Sequence, residues 1–257
     1  MKNNDLLQTL SAFKTISLAE MDRVKLMNRM ETKFVFKRTD FAGLLKQLAT
    51  DYFVVQIGSQ LIHSYESLYF DDKDFHLYNE HHRGRLNRFK VRYRKYVESN
   101  IFFFEIKHKR KGRTSKQRVK VRKFNETPGQ LEKSLLNQSE IPKLNLVPAI
   151  ANSYKRITLV NKTSVERLTF DIDLAFNKNG QNQKLESIVI AELKQERIVR
   201  TSPFFALAKK MKLRPFRLSK YCTGLIQTDY LKQLKHNRFK KKLIQLNKIL
   251  NYGTNVV

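Results

Sequence analysis

Charged side chains recur at intervals of two along several apolar stretches of this sequence. Glu31 and Lys33 stand so in RMETKF; Lys90, Arg92 and Arg94 in FKVRYRKY; Glu105, Lys107 and Lys109 in FFFEIKHK; and Lys116, Arg118, Lys120 and Arg122 in SKQRVKVR. The pattern continues with Tyr154 and Arg156 in SYKRI, with Arg167, Thr169, Asp171 and Asp173 in ERLTFDID, and with Glu192 and Lys194 in IVIAELK. Alternate residues of a β-strand share a face, so each stretch would carry one charged and one apolar face. Guanidinium groups grip phosphate oxygens in pairs, and ammonium groups add compact positive charge. Carboxylates among them suit a divalent cation held jointly by protein and phosphate oxygens. The chemistry within reach is therefore the binding of a multiply charged anion, with or without transfer of one of its groups. Each acid could instead simply pair with a neighbouring Lys or Arg.

The bulk composition agrees. The 257 residues hold 51 Lys and Arg against 23 Asp and Glu, a net charge of +28. That balance favours nucleic acid, polyphosphate, nucleotides or an acidic membrane surface as partner. A hydrophobic content of 41%, with 18 Phe and 10 Tyr, is enough for a sizeable core. Cys222 is the single cysteine, which excludes a disulfide framework or a Cys-based zinc site within the chain. It is expected to be a small buried packing residue. His81 and His82 lie in the polar stretch NEHHRGR and are expected in a solvated loop, with no role as a base. The N-terminus lacks a secretory apolar core, and no run approaches the roughly 18 apolar residues of a membrane span. The expectation is a cytoplasmic protein, with any membrane contact peripheral only.

Periodicity predicts the elements that must position these residues. Leu6, Leu10, Phe13, Ile16 and Leu18 predict a helix over 5–26. A strand at 29–36 and a short helix, DFAGLLKQLAT, follow. Strands are expected at 53–57, 64–70, 87–96, 101–109 and 115–124. Thr127, Pro128 and Gln130 then read as the cap and first turn of a helical excursion over 127–151. Strands resume at 153–160, 165–173 and 187–194, and the remainder is mainly helical, ending in the basic amphipathic RFKKKLIQLNKIL. That last helix is expected to dock on the sheet. These predictions describe an α+β protein: an antiparallel closed β-barrel of about eight strands with a charged lumen and helices packed outside. One domain is expected over 1–257, with an N-terminal helix at 1–27, a core at 28–226 and C-terminal helices at 227–257. An open sheet with its charged face in solvent is the alternative. Confined cations repel strongly, so a closed lumen requires an anion or many waters inside it.

Taken in order, the strands R-x-E-x-K, R-x-R, E-x-K, Y-x-R and E-x-K resemble the triphosphate tunnel metalloenzymes. They look most like the VTC domain, the catalytic module of ATP-dependent polyphosphate polymerases. NRMETKF, SYESLYFDD, FKVRYRKY, FFFEIKHKRKG, SYKRI, RLTFDID, IVIAELK and RPFRLSKYCTGL carry the likeness, over about residues 28 to 226. It implies a tunnel that takes a nucleotide's triphosphate at one mouth and releases a polyphosphate chain at the other. It also implies that Lys33, Arg92, Arg94, Lys107, Arg118, Arg156 and Arg167 grip phosphates. Lys107, Arg92, Arg94 and Lys220 would stand nearest the transfer itself, and Tyr154, Lys194, Arg217 and Ser219 would complete the phosphate site. FRLSKY sits at a helix start, where backbone N–H groups and the helix dipole favour anions. Glu192 would hold Mn²⁺ or Mg²⁺, with Glu31 as the second candidate ligand. The broader superfamily places a glutamate where this chain has Arg29, which favours the VTC pattern over two-metal hydrolysis. The expected form is the compact, stand-alone bacterial one, without a sensor domain.

The expected function is transfer of the terminal phosphoryl group of ATP to polyphosphate or pyrophosphate. Two rivals remain open: a tunnel hydrolase of tripolyphosphate or nucleoside triphosphates, and a non-catalytic binder of RNA or polyphosphate. No RNP-like aromatic signature supports nucleic acid, and oligomeric state is not legible.

Overall fold

Alternation of apolar and charged residues builds one large sheet with two unlike faces. The computed structural model of the protein describes residues 3–23, 30–111, 113–229 and 233–251; Arg29 lies outside them. The elements are α1 (Asn3–Leu10), β1 (Thr15–Ser17), α2 (Leu18–Arg23), β2 (Met30–Lys37), α3 (Phe41–Lys46), β3 (Tyr52–Gln56), β4 (His63–Asp71), α4 (His76–Arg83), β5 (Arg88–Tyr96), β6 (Ile101–Arg110) and β7 (Arg113–Val121). They continue with α5 (Gln130–Asn137), β8 (Val147–Asn161), β9 (Glu166–Lys178), β10 (Gln181–Leu185), β11 (Ile188–Gln195), α6 (Pro203–Lys210), α7 (Lys220–Gln227) and α8 (Lys240–Asn251). Eight strands follow the hydrogen-bonded path β2-β11-β9-β8-β4-β5-β6-β7, and each adjacent pair on it is antiparallel. β1, β3 and β10 attach beside it.

The antiparallel sheet jacketed by helices is as the sequence predicts, but it is curled and open where closure is expected. β2 and β7 are the two ends of the path. The outer edge of β2 is already taken, because the Phe216 N–H donates to the Lys33 carbonyl at 2.6 Å. The segment leading into α7 thus occupies the place where a closing strand would pair.

The convex face is apolar. Phe34 and Phe36 of β2, Ile157 and Leu159 of β8, Leu168 and Phe170 of β9, and Ala191 and Leu193 of β11 pack under α1, α3 and α6. Further along the sheet, Val91, Tyr93, Phe104 and Ile106 pack under Leu135, Leu136, Ile141 and Leu144. Fully burying each such side chain stabilises the fold by about 1.5–3 kcal/mol. The concave face divides lengthwise. One part carries the charges; the other is filled by α7, whose Tyr221, Cys222 and Leu225 meet Tyr69, Ile150, Phe176 and Ile190. Cys222 is buried there, as expected. In β9 the non-glycine residue Asp173 has φ 52° and stands beside a register shift against β8. This bulge lets Asp171 and then Leu174 and Phe176 face the same concavity.

Several predicted elements differ. The helix expected over 5–26 breaks into α1 and α2, because Thr15–Ser17 pairs in parallel with β3. Ser17 then opens α2: its hydroxyl accepts from the Glu20 N–H at 3.2 Å while Glu20 accepts from the Ser17 N–H at 2.9 Å. This capping box is written in the sequence as SLAE. The excursion over 127–151 is helical only in α5, and its N-cap is Gly129 rather than Thr127. Pro142 prevents continuation, and β8 has already begun at Val147, one residue before Pro148. The His81–His82 pair lies in α4, not in a loop. His82 is buried and stacks on Tyr78, and burial with Lys90 and Arg88 nearby holds the His81 imidazole well below its usual pKa. At the C-terminal end α8 docks as expected, with Leu246 buried in the concave core. No helix among the described residues is long and apolar enough to cross a membrane.

The α7 packing gives a direct test. A Cβ on Gly224 would overlap the Phe176 ring and stand 2.8 Å from Ile150. Gly224→Ala is expected to destabilise by about 1–3 kcal/mol, read as a lower urea midpoint at unchanged slope.

Candidate anion-binding site

The charged part of the concave face is assembled from period-two positions on seven strands and from the start of α7. β2 and β11 pair in the register Glu192 opposite Lys33 and Lys194 opposite Glu31. Lys33 Nζ lies 3.5 Å from Glu192 and Lys194 Nζ 3.7 Å from the same carboxylate. Lys107 of β6 reaches across the concavity to Glu31 at 3.5 Å. Burial and Glu192 push the Glu31 carboxyl up, but Lys107, Lys33 and Lys194 outweigh them and leave it below its ordinary value. Glu192 is likewise held well below the carboxylate range, its burial outweighed by Lys194 and Lys33.

Two deeper acids organise the remaining cations. Asp171 accepts from Arg156 Nε at 2.5 Å and Nη2 at 2.8 Å, and from Lys220 of α7. Glu105 accepts from Arg92 Nε at 2.9 Å and Nη2 at 2.7 Å, and from Lys116 Nζ at 2.7 Å. The pairing alternative weighed for these acids in the sequence is therefore what they adopt. Arg92 also donates to the Tyr69 hydroxyl at 3.0 Å. Arg94, 8% exposed, donates from Nη2 to the Tyr154 hydroxyl at 2.9 Å and lies 5.5 Å from the Tyr65 ring centroid. Tyr65 and Tyr154 are stacked 5.2 Å apart. At the α7 start, Ser219 caps the helix by accepting from the Cys222 N–H at 3.2 Å, and Lys90 Nζ donates to the same hydroxyl at 2.8 Å.

These contacts bring Lys33, Lys107, Arg92, Arg94, Tyr154, Arg156, Lys194, Ser219, Lys220, Glu192 and Glu31 onto one concave surface. The other predicted residues are peripheral. Arg118 stacks on Phe103 at 4.4 Å on the exposed strand β7. Arg217 is exposed before α7. Arg167 is half-buried, with Nη1 3.9 Å from the Met21 sulfur. Sequence reasoning left Lys90, Lys116 and Tyr69 out of the site. The period-two spacing from Arg92, Arg118 and Tyr65 was the signal that could have found them.

Cations exceed acids here, and burial shifts the proton affinity of several of these groups. Burial pushes the Lys194 ammonium down to about 7 even beside Glu192. Burial pushes Lys90 down to about 8. Tyr69 moves the other way for an acid in a buried place: burial raises it, but Arg92, Arg94, Lys90 and Lys220 bring it down to about 8. Such a surface favours an incoming anion.

Among the described residues no group of three or more His, Cys, Asp or Glu is arranged to hold a metal. Glu31 and Glu192 stand on adjacent strands two residues apart in register, on the same face. A divalent cation bound through one or two carboxylates plus substrate phosphates fits that donor set.

A family model described as the VTC domain matches residues 28–228. No curated protein matches the chain. Among solved structures, a provisionally assigned adenylate cyclase from Bacillus halodurans is 17% identical with a TM-score of 0.48, covering 75% of this chain and 94% of that one. A similarly assigned protein from Vibrio parahaemolyticus is 12% identical with a TM-score of 0.46, covering 77% and 99%. One from Hippeastrum, described as having a dominant triphosphatase activity, is 12% identical with a TM-score of 0.45, covering 77% and 94%.

Two outcomes follow from the electrostatics. Removing the acid of a buried cluster strands its cations, so Asp171→Asn is expected to cost about 3–5 kcal/mol by urea denaturation. A cost below about 1 kcal/mol would mean that water already solvates Arg156 and Lys220. The pH dependence of anion binding has a definite sign. Lys194 and Lys90 carry their charge below about 7 and about 8, and lose it above. Affinity for inorganic tripolyphosphate is therefore expected to fall as pH rises through that window. Calorimetry in buffers of different ionisation enthalpy should show proton uptake on binding there.

Proposed function

We propose, from the premise that this chain belongs to the VTC domain family, that it is a polyphosphate polymerase. In this role it moves the terminal phosphoryl group of ATP onto a polyphosphate or pyrophosphate acceptor. The observation that carries the proposal is the concave surface that sets Lys33, Lys90, Arg92, Arg94, Lys107, Arg156, Lys194 and Lys220 against four carboxylates, Glu31, Glu105, Asp171 and Glu192.

The transfer breaks the bond between the terminal phosphorus of ATP and its bridging oxygen. It forms a bond from that phosphorus to a terminal oxygen of the acceptor, and ADP leaves with the bridging electrons. The acceptor oxygen is already anionic near neutral pH, so no side chain has to remove a proton. Catalysis of such a step rests on positioning and charge neutralisation. Arg92 and Arg156 suit it because Glu105 and Asp171 hold their guanidinium planes before any ligand arrives. Lys220 is aimed by Asp171 in the same way, and Lys90 is aimed by the Ser219 cap. Lys107, Lys33 and Lys194 have weaker contacts, of 3.5–3.7 Å, and are free to turn from carboxylate to phosphate. Glu192 and Glu31 would hold Mn²⁺ or Mg²⁺, which when bound supplies Lewis-acid polarisation of phosphoryl oxygens. Arg94 and Tyr154 complete the grip, while Arg118, Arg167 and Arg217 serve the approach to it.

Incubation with ATP and Mn²⁺, resolved on a polyphosphate gel, tests this. Wild-type protein is expected to build long chains, and Glu192→Gln or Lys107→Ala to lower the rate by about 10²–10³. Free phosphate as the sole product would assign a triphosphatase instead. Turnover that neither substitution alters would remove the enzyme reading.

A further inference from the structure

We infer that Ser67, Asn152 and the Nε edge of Arg94 form a seat for one phosphoryl oxygen in the concave wall. The inference rests on the polyanion reading above and extends it to two neutral residues. Ser67 of β4 lies directly opposite Arg94 of β5 and directly opposite Asn152 of β8. Directly opposed residues of an antiparallel pair share a face, with Cβ atoms about 4.5–5.5 Å apart. The three therefore make a continuous polar row across neighbouring strands.

All three are buried: Ser67 is 1% exposed, Asn152 5% and Arg94 8%. Ser67 Oγ, both polar atoms of the Asn152 amide and Arg94 Nε have no hydrogen-bond partner. Leaving such a group unpaired costs about 1–3 kcal/mol, so a gathering of them in one row points to a missing partner rather than to chance. The row is bounded by aromatic rings, since Arg94 pairs in register with Phe103 and Asn152 with Phe176. No carboxylate forms an ion pair with Arg94 among the described residues.

The available chemistry selects the ligand. Arg94 Nε, the Asn152 amide nitrogen and the Ser67 hydroxyl can all donate and one of them is cationic, while Asn152 Oδ1 is the single atom of the row that only accepts. A phosphoryl oxygen accepts from several donors at once and brings negative charge into direct contact with Arg94. Arg94 Nη2 already binds the Tyr154 hydroxyl, so the seat adjoins the site rather than standing apart from it. An ordered water is the competing occupant, and it predicts a different response to substitution.

The test is calorimetric titration of inorganic tripolyphosphate into wild type, Ser67→Ala and the near-isosteric Asn152→Leu, with Tm measured on each free protein. A hydrogen bond to a charged group corresponds to about 1.5–3 kcal/mol, or roughly a ten- to hundredfold change. Each substitution is expected to weaken Kd by at least about tenfold while Tm stays level or rises, since an unpaired buried group has been removed. Unchanged Kd in both variants overturns the seat and assigns the row to structural water, whatever Tm does. If wild type binds no tripolyphosphate, the polyanion reading fails, and the seat with it.

Discussion

Cations facing the inside of a curled sheet repel one another, and this fold tolerates them because Glu105 and Asp171 stand among them. Each of these carboxylates is 1% exposed at its side chain and binds two cations from different elements. A buried charge without a partner would be several kcal/mol less favourable. The acids therefore do two things at once. They make the charged concavity compatible with folding, and they hold Arg92, Arg156 and Lys220 in fixed directions before any ligand is present.

The second constraint is α7. Its apolar side fills part of the concavity, while its first residues enter the charged part. Ser219 caps the helix and receives Lys90; Lys220 reaches Asp171. Tyr221 anchors the same turn by donating to Asp71, whose carboxylate also accepts from the Leu77 and Tyr78 N–H groups of α4. Packing of an apolar helix face thus sets the position of charged groups two or three residues away. The segment before it also occupies the edge of β2, so the element that completes the site is the one that keeps the sheet open.

Much of this was legible in the sequence because strands have a rigid period of two. That period identified the charged and apolar faces of β2, β5, β6, β8, β9 and β11, and with them most of the concave residues. Helix starts were legible where a side chain does the capping, as at Ser219. Misreadings arose where local signals compete. The helical spacing of Leu6 to Leu18 concealed β1, which exists only because β3 is available to pair with it. NEHHRGR looked like a loop, yet Leu77 and Tyr78 just before it pull α4 onto the core, with His82 buried and His81 half-buried.

By itself the sequence determined which side chains share a face, since strand parity is a local property of the backbone. It also determined that the shared face is strongly cationic, and so the class of ligand it suits. Only the tertiary structure decided which cations are neutralised. Glu105 lies directly opposite Arg92, but its second partner Lys116 comes from another strand, and Asp171 draws Lys220 from a helix 49 residues away. The structure likewise decided that the barrel stays open and that Ser67, Asn152 and Arg94 meet with atoms to spare. These outcomes depend on register between distant segments, which pattern within a segment does not encode.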